Sequence, residues 1–112
     1  MAPERRYRVQ LSKGARADIE GIARYLSECH SPELADRWLV DLLDRVDSLE
    51  RYPERGSIPQ ELEQLGTRRY RQLLLHPYRL FYRVMGDLVT VTLVADGRRD
   101  IASLVQQRLL RD

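Results

Sequence analysis

Hydrophobic and polar residues follow two different periods in the first half of the chain. Residues 6–11 (RYRVQL) alternate with period two, which is typical of a half-buried strand. Apolar residues then recur at helical spacing over residues 13–29, behind Ser12 as a capping residue. Ser31-Pro32 marks the start of a second amphipathic helix, which we expect to run to about Arg51. Because the loop between them is short, the two helices should form an antiparallel hairpin.

The second half of the chain returns to a period of two. After the breaks at Pro53, Gly56 and Pro59, the irregular connection has room for one helical turn near residues 60–65. Alternation then predicts three strands, at residues 68–75, 78–85 and 88–95. They are joined by His76-Pro77 and Gly86-Asp87, and Asp100 can cap a short final helix.

The resulting order, β-α-α-β-β-β-α, predicts an α+β fold in a single domain over residues 1–112, with the helical hairpin packed on one face of an antiparallel sheet. A two-residue turn at Gly86-Asp87 would pair Met85 with Leu88 and, five residues further, Leu80 with Leu93. This register predicts a buried face made of Leu80, Tyr82, Val84, Val89, Val91 and Leu93, packed against Ile19, Ile22, Trp38, Leu42 and Val46. It predicts an open face made of Arg79, Phe81, Arg83, Thr90 and Thr92, with Arg8 beside them.

The positive charge is concentrated in the second half. The net charge is only +2, but residues 1–66 carry 10 basic and 13 acidic residues, whereas residues 67–112 carry 9 basic and 4 acidic ones. Five arginines and no acid occur in residues 68–84 (RRYRQLLLHPYRLFYRV). An arginine-lined sheet face suits a polyanion or an acidic partner, because the guanidinium binds phosphate and carboxylate in a bidentate manner. The alternative is a solvated face that keeps the sheet soluble.

Several kinds of site are not indicated by the sequence. A single cysteine, Cys29, excludes an internal disulfide, and no Cys or His spacing predicts a metal site or a cofactor. His30 and His76 fall at a helix end and in a turn, which favours structural or solvated roles. No run of residues is long and apolar enough to cross a bilayer, and no apolar stretch follows the charged N-terminus, so we expect a cytoplasmic protein.

Four segments together resemble the ParE/RelE superfamily of type II toxin–antitoxin toxins, and its ParE branch in particular. They are ARADIEGIARYL (15–26), LERYPERGSIPQEL (49–62), RRYRQLLLHPYRLFYRV (68–84) and VTLVADGRRDIASLV (91–105). The resemblance implies the β-α-α-β-β-β layout and a growth-inhibiting toxin of the kind associated with plasmid stabilisation. It also implies an acidic ParD-like antitoxin, DNA gyrase as the target, with its cleaved-DNA state trapped, and DNA contacted only through gyrase or the antitoxin complex.

Two activities of the superfamily have to be distinguished. In RNA-cleaving relatives resembling RelE, basic residues on the open sheet face work with a C-terminal His or Tyr. Arg79 and Arg83 match the strand arginines, but residues 95–112 contain neither His nor Tyr, and Asp96 stands where many relatives have a histidine. The resemblance therefore favours inhibition by binding, without an active site. The alternatives are a ribosome-dependent RNA endonuclease that uses Arg79 and Arg83, and a non-toxic co-repressor that binds the antitoxin.

Two further arginines complete the predicted binding surface. Arg98 and Arg99 follow Gly97 at the end of the last strand and precede the Asp100 cap, so the backbone should hold them in place while they remain exposed. We expect the surface that contacts the target or the antitoxin to contain Arg79, Phe81, Arg83, Arg98 and Arg99.

Overall fold

The computed structural model describes residues 6–109, which contain four strands and four helices. In chain order they are β1 (Arg8–Leu11), α1 (Lys13–Cys29), α2 (Pro32–Ser48), α3 (Gln60–Gln64), β2 (Tyr70–Leu75), β3 (Tyr78–Met85), β4 (Leu88–Asp96) and α4 (Ile101–Arg108). This order is the predicted α+β succession, with α3 in the place of the expected helical turn. The second helix ends three residues earlier than expected, at Ser48.

Each long helix begins at the predicted capping residue. The Ser12 hydroxyl accepts a hydrogen bond from the Ala15 N–H, and the Ser31 hydroxyl accepts one from the Leu34 N–H, both at 3.1 Å. The Asp100 carboxylate caps α4 in the same way, since it accepts from the Ser103 N–H at 3.2 Å. These bonds satisfy backbone donors that have no partner inside the helix.

The sheet has the strand order β1-β4-β3-β2. Strands β2, β3 and β4 are antiparallel, and β1 adds to β4 in parallel. Gly86 has a φ of +60° in the β3–β4 turn, a conformation that favours glycine, which explains the two-residue hairpin. The hairpin register is the predicted one from Met85 opposite Leu88 to Tyr82 opposite Val91.

The predicted register is wrong beyond Tyr82. Phe81 pairs with Leu93 instead of Thr92, because a β-bulge leaves Thr92 without a partner across the strand. The Thr92 hydroxyl donates to the Phe81 carbonyl oxygen at 3.2 Å, which stabilises the irregularity. The extra residue moves Leu93 to the opposite face of the sheet, and Val94 takes its predicted position opposite Leu80.

The first hydrophobic core lies between the sheet and the α1–α2 hairpin. Ile19, Trp38, Leu42 and Val46 are buried there as predicted, and Ile22 packs against this core in a half-buried position. The sheet contributes Leu80, Tyr82, Val89, Val91 and Val94, with Val84 half-buried beside them. Five of the six predicted sheet residues thus lie on this face, and Leu93 is the exception.

A second core covers part of the face that was expected to be open. Phe81 is fully buried in it, so the prediction that Phe81 lies on an uncovered surface is wrong. Helices α3 and α4 pack on this side, and their apolar residues enclose the ring; the buried members of the cluster are Leu62, Tyr70, Phe81, Leu93, Ala95, Ile101, Val105 and Leu109. The final helix therefore forms one wall of a core.

Candidate interaction surfaces

The two ends of the sheet are the reference points for the arginine side chains. We call the end where β3 begins and β4 ends the Arg98 end, since Tyr78 pairs with Asp96 there, just before Arg98. We call the end where β2 begins and β3 ends the Arg69 end, since Tyr70 pairs with Arg83 there, just after Arg69. The two pairs are about five residues apart along β3, which corresponds to roughly 17 Å.

Arg79, at the Arg98 end, is engaged inside the protein. Its two terminal nitrogens donate to both carboxylate oxygens of Glu61 on α3, at 2.7 and 2.8 Å, and its Nε donates to Gln72 at 2.8 Å. The guanidinium carbon also lies 5.1 Å from the centre of the Phe81 ring. Hydrogen bonding to Arg79 lowers the pKa of Glu61 below its ordinary value. Arg79 thus fastens α3 to the sheet above the second core.

Arg83 lies further along the same face of β3, two residues beyond Phe81. Its cross-strand neighbours are Tyr70 and Thr90, and its side chain is half-buried. The Nε atom is buried and has no hydrogen-bond partner among residues 6–109. The neighbouring Tyr70 hydroxyl donates to the Leu109 carbonyl oxygen at 3.2 Å, so this phenol is engaged in holding the end of α4.

Arg98 and Arg99 are exposed, as expected from their position. Arg98 forms two hydrogen bonds with the Asp96 carboxylate, at 2.7 and 3.0 Å, while 81% of its side-chain surface remains accessible. Hydrogen bonds from the Arg98 side chain and backbone lower the pKa of Asp96 to about 2, so this carboxyl group is ionised at neutral pH. The pair orients Arg98 beside the strand end.

A groove of about 510 Å³ lies next to this pair. It runs between α1 and the last residues of β4, and its walls include Ile22, Tyr25, Val94 and Arg99. Tyr25 is about half exposed there. The groove gives the Arg98 end an apolar floor beside its charged rim.

A group of partly buried hydrogen bonds at the edge of β4 joins α1, β4 and α4, and sequence periodicity did not indicate it. Arg108 donates two hydrogen bonds of 3.1 Å to Asp18 and a third of 3.1 Å to the Thr92 carbonyl oxygen. Asp18 also accepts from the Val94 N–H at 3.0 Å. Because β1 pairs with β4 only as far as Val91, these side chains satisfy the strand edge beyond it. Asp18 and Arg108 are 90 residues apart, so no local pattern could have paired them.

A third group of arginines surrounds a cavity of about 260 Å³ at the Arg69 end. Its walls are formed by Glu54, Arg68, Arg69, Arg71 and Val84. Arg68 pairs with Glu63 at 2.8 Å, but both side chains are more than half exposed. Arg71 donates instead to backbone carbonyl oxygens, that of Gly56 at 2.8 Å and that of Glu54 at 3.4 Å.

Within residues 6–109, no cluster of His, Cys, Asp and Glu has the arrangement of a metal site. Nor is any helix of these residues long and apolar enough to cross a membrane.

Comparison with known proteins gives one family. The family described as the ParE toxin of the type II toxin–antitoxin system parDE matches residues 9–101. No curated protein sequence matches the chain.

Two solved structures show the same fold. A chain of the chromosomal ParDE toxin–antitoxin system from P. aeruginosa is 19% identical, with a TM-score of 0.69, over 82% of this chain and 97% of the other. A chain of the toxin–antitoxin complex RelBE2 from Mycobacterium tuberculosis is 21% identical, with a TM-score of 0.58, over 86% of this chain and 97% of the other.

Proposed function

This chain belongs to the ParE toxin family of type II toxin–antitoxin systems, and from that membership we propose that it inhibits DNA gyrase by binding and trapping the cleaved-DNA state. The match over residues 9–101 is the observation that carries the proposal. The toxin is held inactive by a cognate ParD-like antitoxin, as the ParDE composition of a structural neighbour suggests. Both proteins act in the cytoplasm, where the target lies.

We place the gyrase contact at the Arg98 end. Arg98 and Arg99 stand exposed beside an apolar groove, and a charged rim around an apolar floor is the usual anatomy of a protein interface. Arg98 is already oriented by Asp96, so less side-chain entropy is lost when it binds. Arg79 supports this surface from inside through Glu61 and does not face the target.

The antitoxin has a suitable docking place at β1, which is an edge strand of the sheet. In β1 the N–H groups of Arg8 and Ser12 point to β4, so by alternation the backbone of Val9 and Leu11 faces outward. Beside this edge lies a groove of about 240 Å³ with apolar walls that include Leu11 and Leu43. A strand of the antitoxin can add to β1 and place its side chains in the groove, or an amphipathic helix can occupy the groove itself.

Charge favours an acidic antitoxin segment at this edge. Arg8 and Arg16 are exposed next to the strand and the groove, and neither forms an ion pair within residues 6–109. A disordered acidic segment that folds on binding would neutralise both and bury the apolar wall at Leu43.

Two assays with the purified protein test the proposed function. We expect inhibition of gyrase supercoiling with accumulation of cleaved DNA, and no cleavage of mRNA on translating ribosomes. Cleavage of mRNA without an effect on gyrase would overturn the proposal in favour of an endonuclease. Inactivity in both assays, with antitoxin binding retained, would identify a non-toxic co-repressor.

One observation favours the endonuclease as the second candidate. Arg83 is half-buried, its Nε has no hydrogen-bond partner within residues 6–109, and a guanidinium can stabilise the charge of a phosphoryl transition state. Catalysis would also need a general acid and base near Arg83. Of the two strand arginines, Arg79 is bound to Glu61, so Arg83 would be the one available for this role.

The antitoxin site has its own test. Val9→Pro removes an outward-facing N–H and leaves the bonds to β4, which use the N–H groups of Arg8 and Ser12. We expect Val9→Pro to weaken antitoxin binding more than Val9→Ala does, as measured by calorimetry. Equal effects of the two variants would exclude strand addition at β1, and a loss confined to Leu43→Glu would assign the groove to a helix.

A further inference from the structure

We propose that the cavity bounded by Arg68, Arg69 and Arg71 at the Arg69 end binds the phosphodiester backbone of nucleic acid. The gyrase contact is proposed at the opposite end of the sheet, so the two proposals can be tested independently. The proposal rests on how the arginine charges at this end are compensated.

The arginines at the Arg69 end lack carboxylate partners or hold them only weakly. Arg71 is fixed by two neutral carbonyl oxygens, and Arg55 donates to the Ser48 hydroxyl at 2.7 Å. The Arg69 side chain has no hydrogen-bond or ion-pair partner within residues 6–109. Of these arginines in residues 6–109, only Arg68 forms an ion pair, an exposed one that contributes little, and three arginines line the cavity against one acid, Glu54. The arginine charge is therefore largely uncompensated.

The same contacts hold part of this charge in place. Gly56 donates its N–H to the Tyr82 hydroxyl at 3.0 Å, and its carbonyl oxygen accepts from Arg71. Tyr82 is fully buried, so this hydrogen bond fixes the loop, and with it Arg71, to the core. Burial raises the pKa of Tyr82, and the positive charges of Arg71 and Arg55 partly oppose this increase. A cation that is already ordered loses less entropy on binding.

The composition of the cavity favours phosphate over an acidic peptide. Its walls contain one apolar residue, Val84, and one acid, Glu54. A peptide that folds on binding needs apolar anchors in buried pockets, whereas binding to a phosphodiester backbone is driven by charge neutralisation and counterion release. Arginine matches phosphate oxygens with two parallel hydrogen bonds, and three arginines around one cavity can contact neighbouring phosphates.

Fluorescence anisotropy with the full chain tests this site. The probes are a labelled single-stranded DNA 20-mer of mixed sequence, its duplex and the matching RNA, titrated between 50 and 200 mM salt. We expect wild-type binding with a Kd of ~1–100 μM, weakening as salt increases. Arg68→Gln/Arg69→Gln should reduce affinity at least fivefold and make the slope of log K against log salt shallower by about one to two.

The matched control is Arg24→Gln/Arg37→Gln, which removes the same charge from exposed positions on α1 and α2. It should change affinity less than twofold. An equal loss in the control variant would show a general charge effect and overturn the proposal, as would the absence of wild-type binding at 50 mM salt. Because Arg68 and Arg69 are exposed, both variants should keep the wild-type melting temperature.

The probes also separate the possible sources of the phosphate. Tightest binding to DNA, single-stranded or duplex, would assign the site to DNA at the target or operator, and tightest binding to RNA would assign it to a transcript. Competition by poly-L-glutamate as effective as that by DNA at equal charge would identify an acidic protein surface instead and overturn the proposal. None of these outcomes depends on gyrase.

Discussion

The two ends of the sheet both carry arginines, but they compensate the charge differently. At the Arg98 end, Arg79 and Arg98 each form two hydrogen bonds with one carboxylate, Glu61 and Asp96 respectively. At the Arg69 end, Arg71 donates to neutral carbonyl oxygens. Carboxylates therefore compensate Arg79 and Arg98, whereas Arg69 and Arg71 have no carboxylate bonded to them within residues 6–109. Counting arginines does not reveal which of them are available to a partner.

The difference also separates stability from binding. An ion pair that is partly withdrawn from water and bidentate, such as Arg79–Glu61, contributes to folding and destabilises the protein when one partner is removed. An exposed arginine without a carboxylate contributes little to folding and remains free to bind. Substitutions at the Arg98 end that reach the second core should therefore change stability, and those at the Arg69 end should change binding.

The largest expected effect is at Phe81, beneath Arg79. Phe81→Ala should destabilise the protein by about 3–5 kcal/mol, because the ring is fully buried in the second core. Urea unfolding would measure this loss, and Phe81→Leu, which conserves more volume, should cost less than about 2 kcal/mol. If Phe81→Ala kept the wild-type stability and lost only the binding of a partner, Phe81 would belong to the binding surface after all.

The next effect concerns the Arg79–Glu61 pair. Glu61→Gln should cost about 1–2 kcal/mol at pH 7, whereas Arg69→Gln should change stability by less than about 0.5 kcal/mol. Because the folded-state pKa of Glu61 is lowered from 4.5, the contribution of the pair is present above pH 4.5 and is lost as the pH falls below it. Urea unfolding at pH 7 and pH 3 should show the free energies of unfolding of the wild type and Glu61→Gln converging at the lower pH. A constant difference would mean that the charge of Glu61 is not what stabilises α3.

A smaller effect is expected at Gly14, which makes room for Arg108. A Cβ at Gly14 would collide with the Arg108 guanidinium, whose displacement would break its bonds to Asp18. Gly14→Ala should therefore be neutral or destabilising in the wild type. In an Arg108→Gln background it should stabilise by a few tenths to about 1 kcal/mol, because alanine is then free to favour the helix. The same sign in both backgrounds, measured by thermal unfolding, would contradict a role for Gly14 in admitting Arg108.

The smallest expected effect on stability is at Arg98 and Arg99. Replacing both with Ala should leave the melting temperature almost unchanged, since the Arg98–Asp96 pair is exposed, while relieving growth inhibition. Growth assays and thermal unfolding of the same variant would measure both quantities. Unaltered toxicity in a folded double mutant would remove the Arg98 end from the target surface. A large fall in melting temperature would show that these arginines are structural.

Periodicity and capping determined most of the elements, because both are local properties. The helix predicted over residues 13–29 is α1 (Lys13–Cys29), and the capping roles of Ser12 and Asp100 are confirmed by their hydrogen bonds. The hairpin register was correct from Met85 to Tyr82, since Gly86 determines the turn. The family resemblance is confirmed by the match over residues 9–101.

The tertiary structure decided what depends on distant contacts. The bulge at Thr92 exchanged the faces of Leu93 and Val94, and alternation cannot reveal an extra residue in a strand. The Asp100 cap predicts the final helix, but the local sequence does not show on which face of the sheet this helix packs, and the prediction of an exposed Phe81 is therefore wrong. The arginines differ most, because a guanidinium is available or engaged according to the carboxylate beside it. Glu61 binds Arg79 from 18 residues away in the sequence, whereas Arg69 has no carboxylate partner in residues 6–109. The local sequence predicts neither of these arrangements.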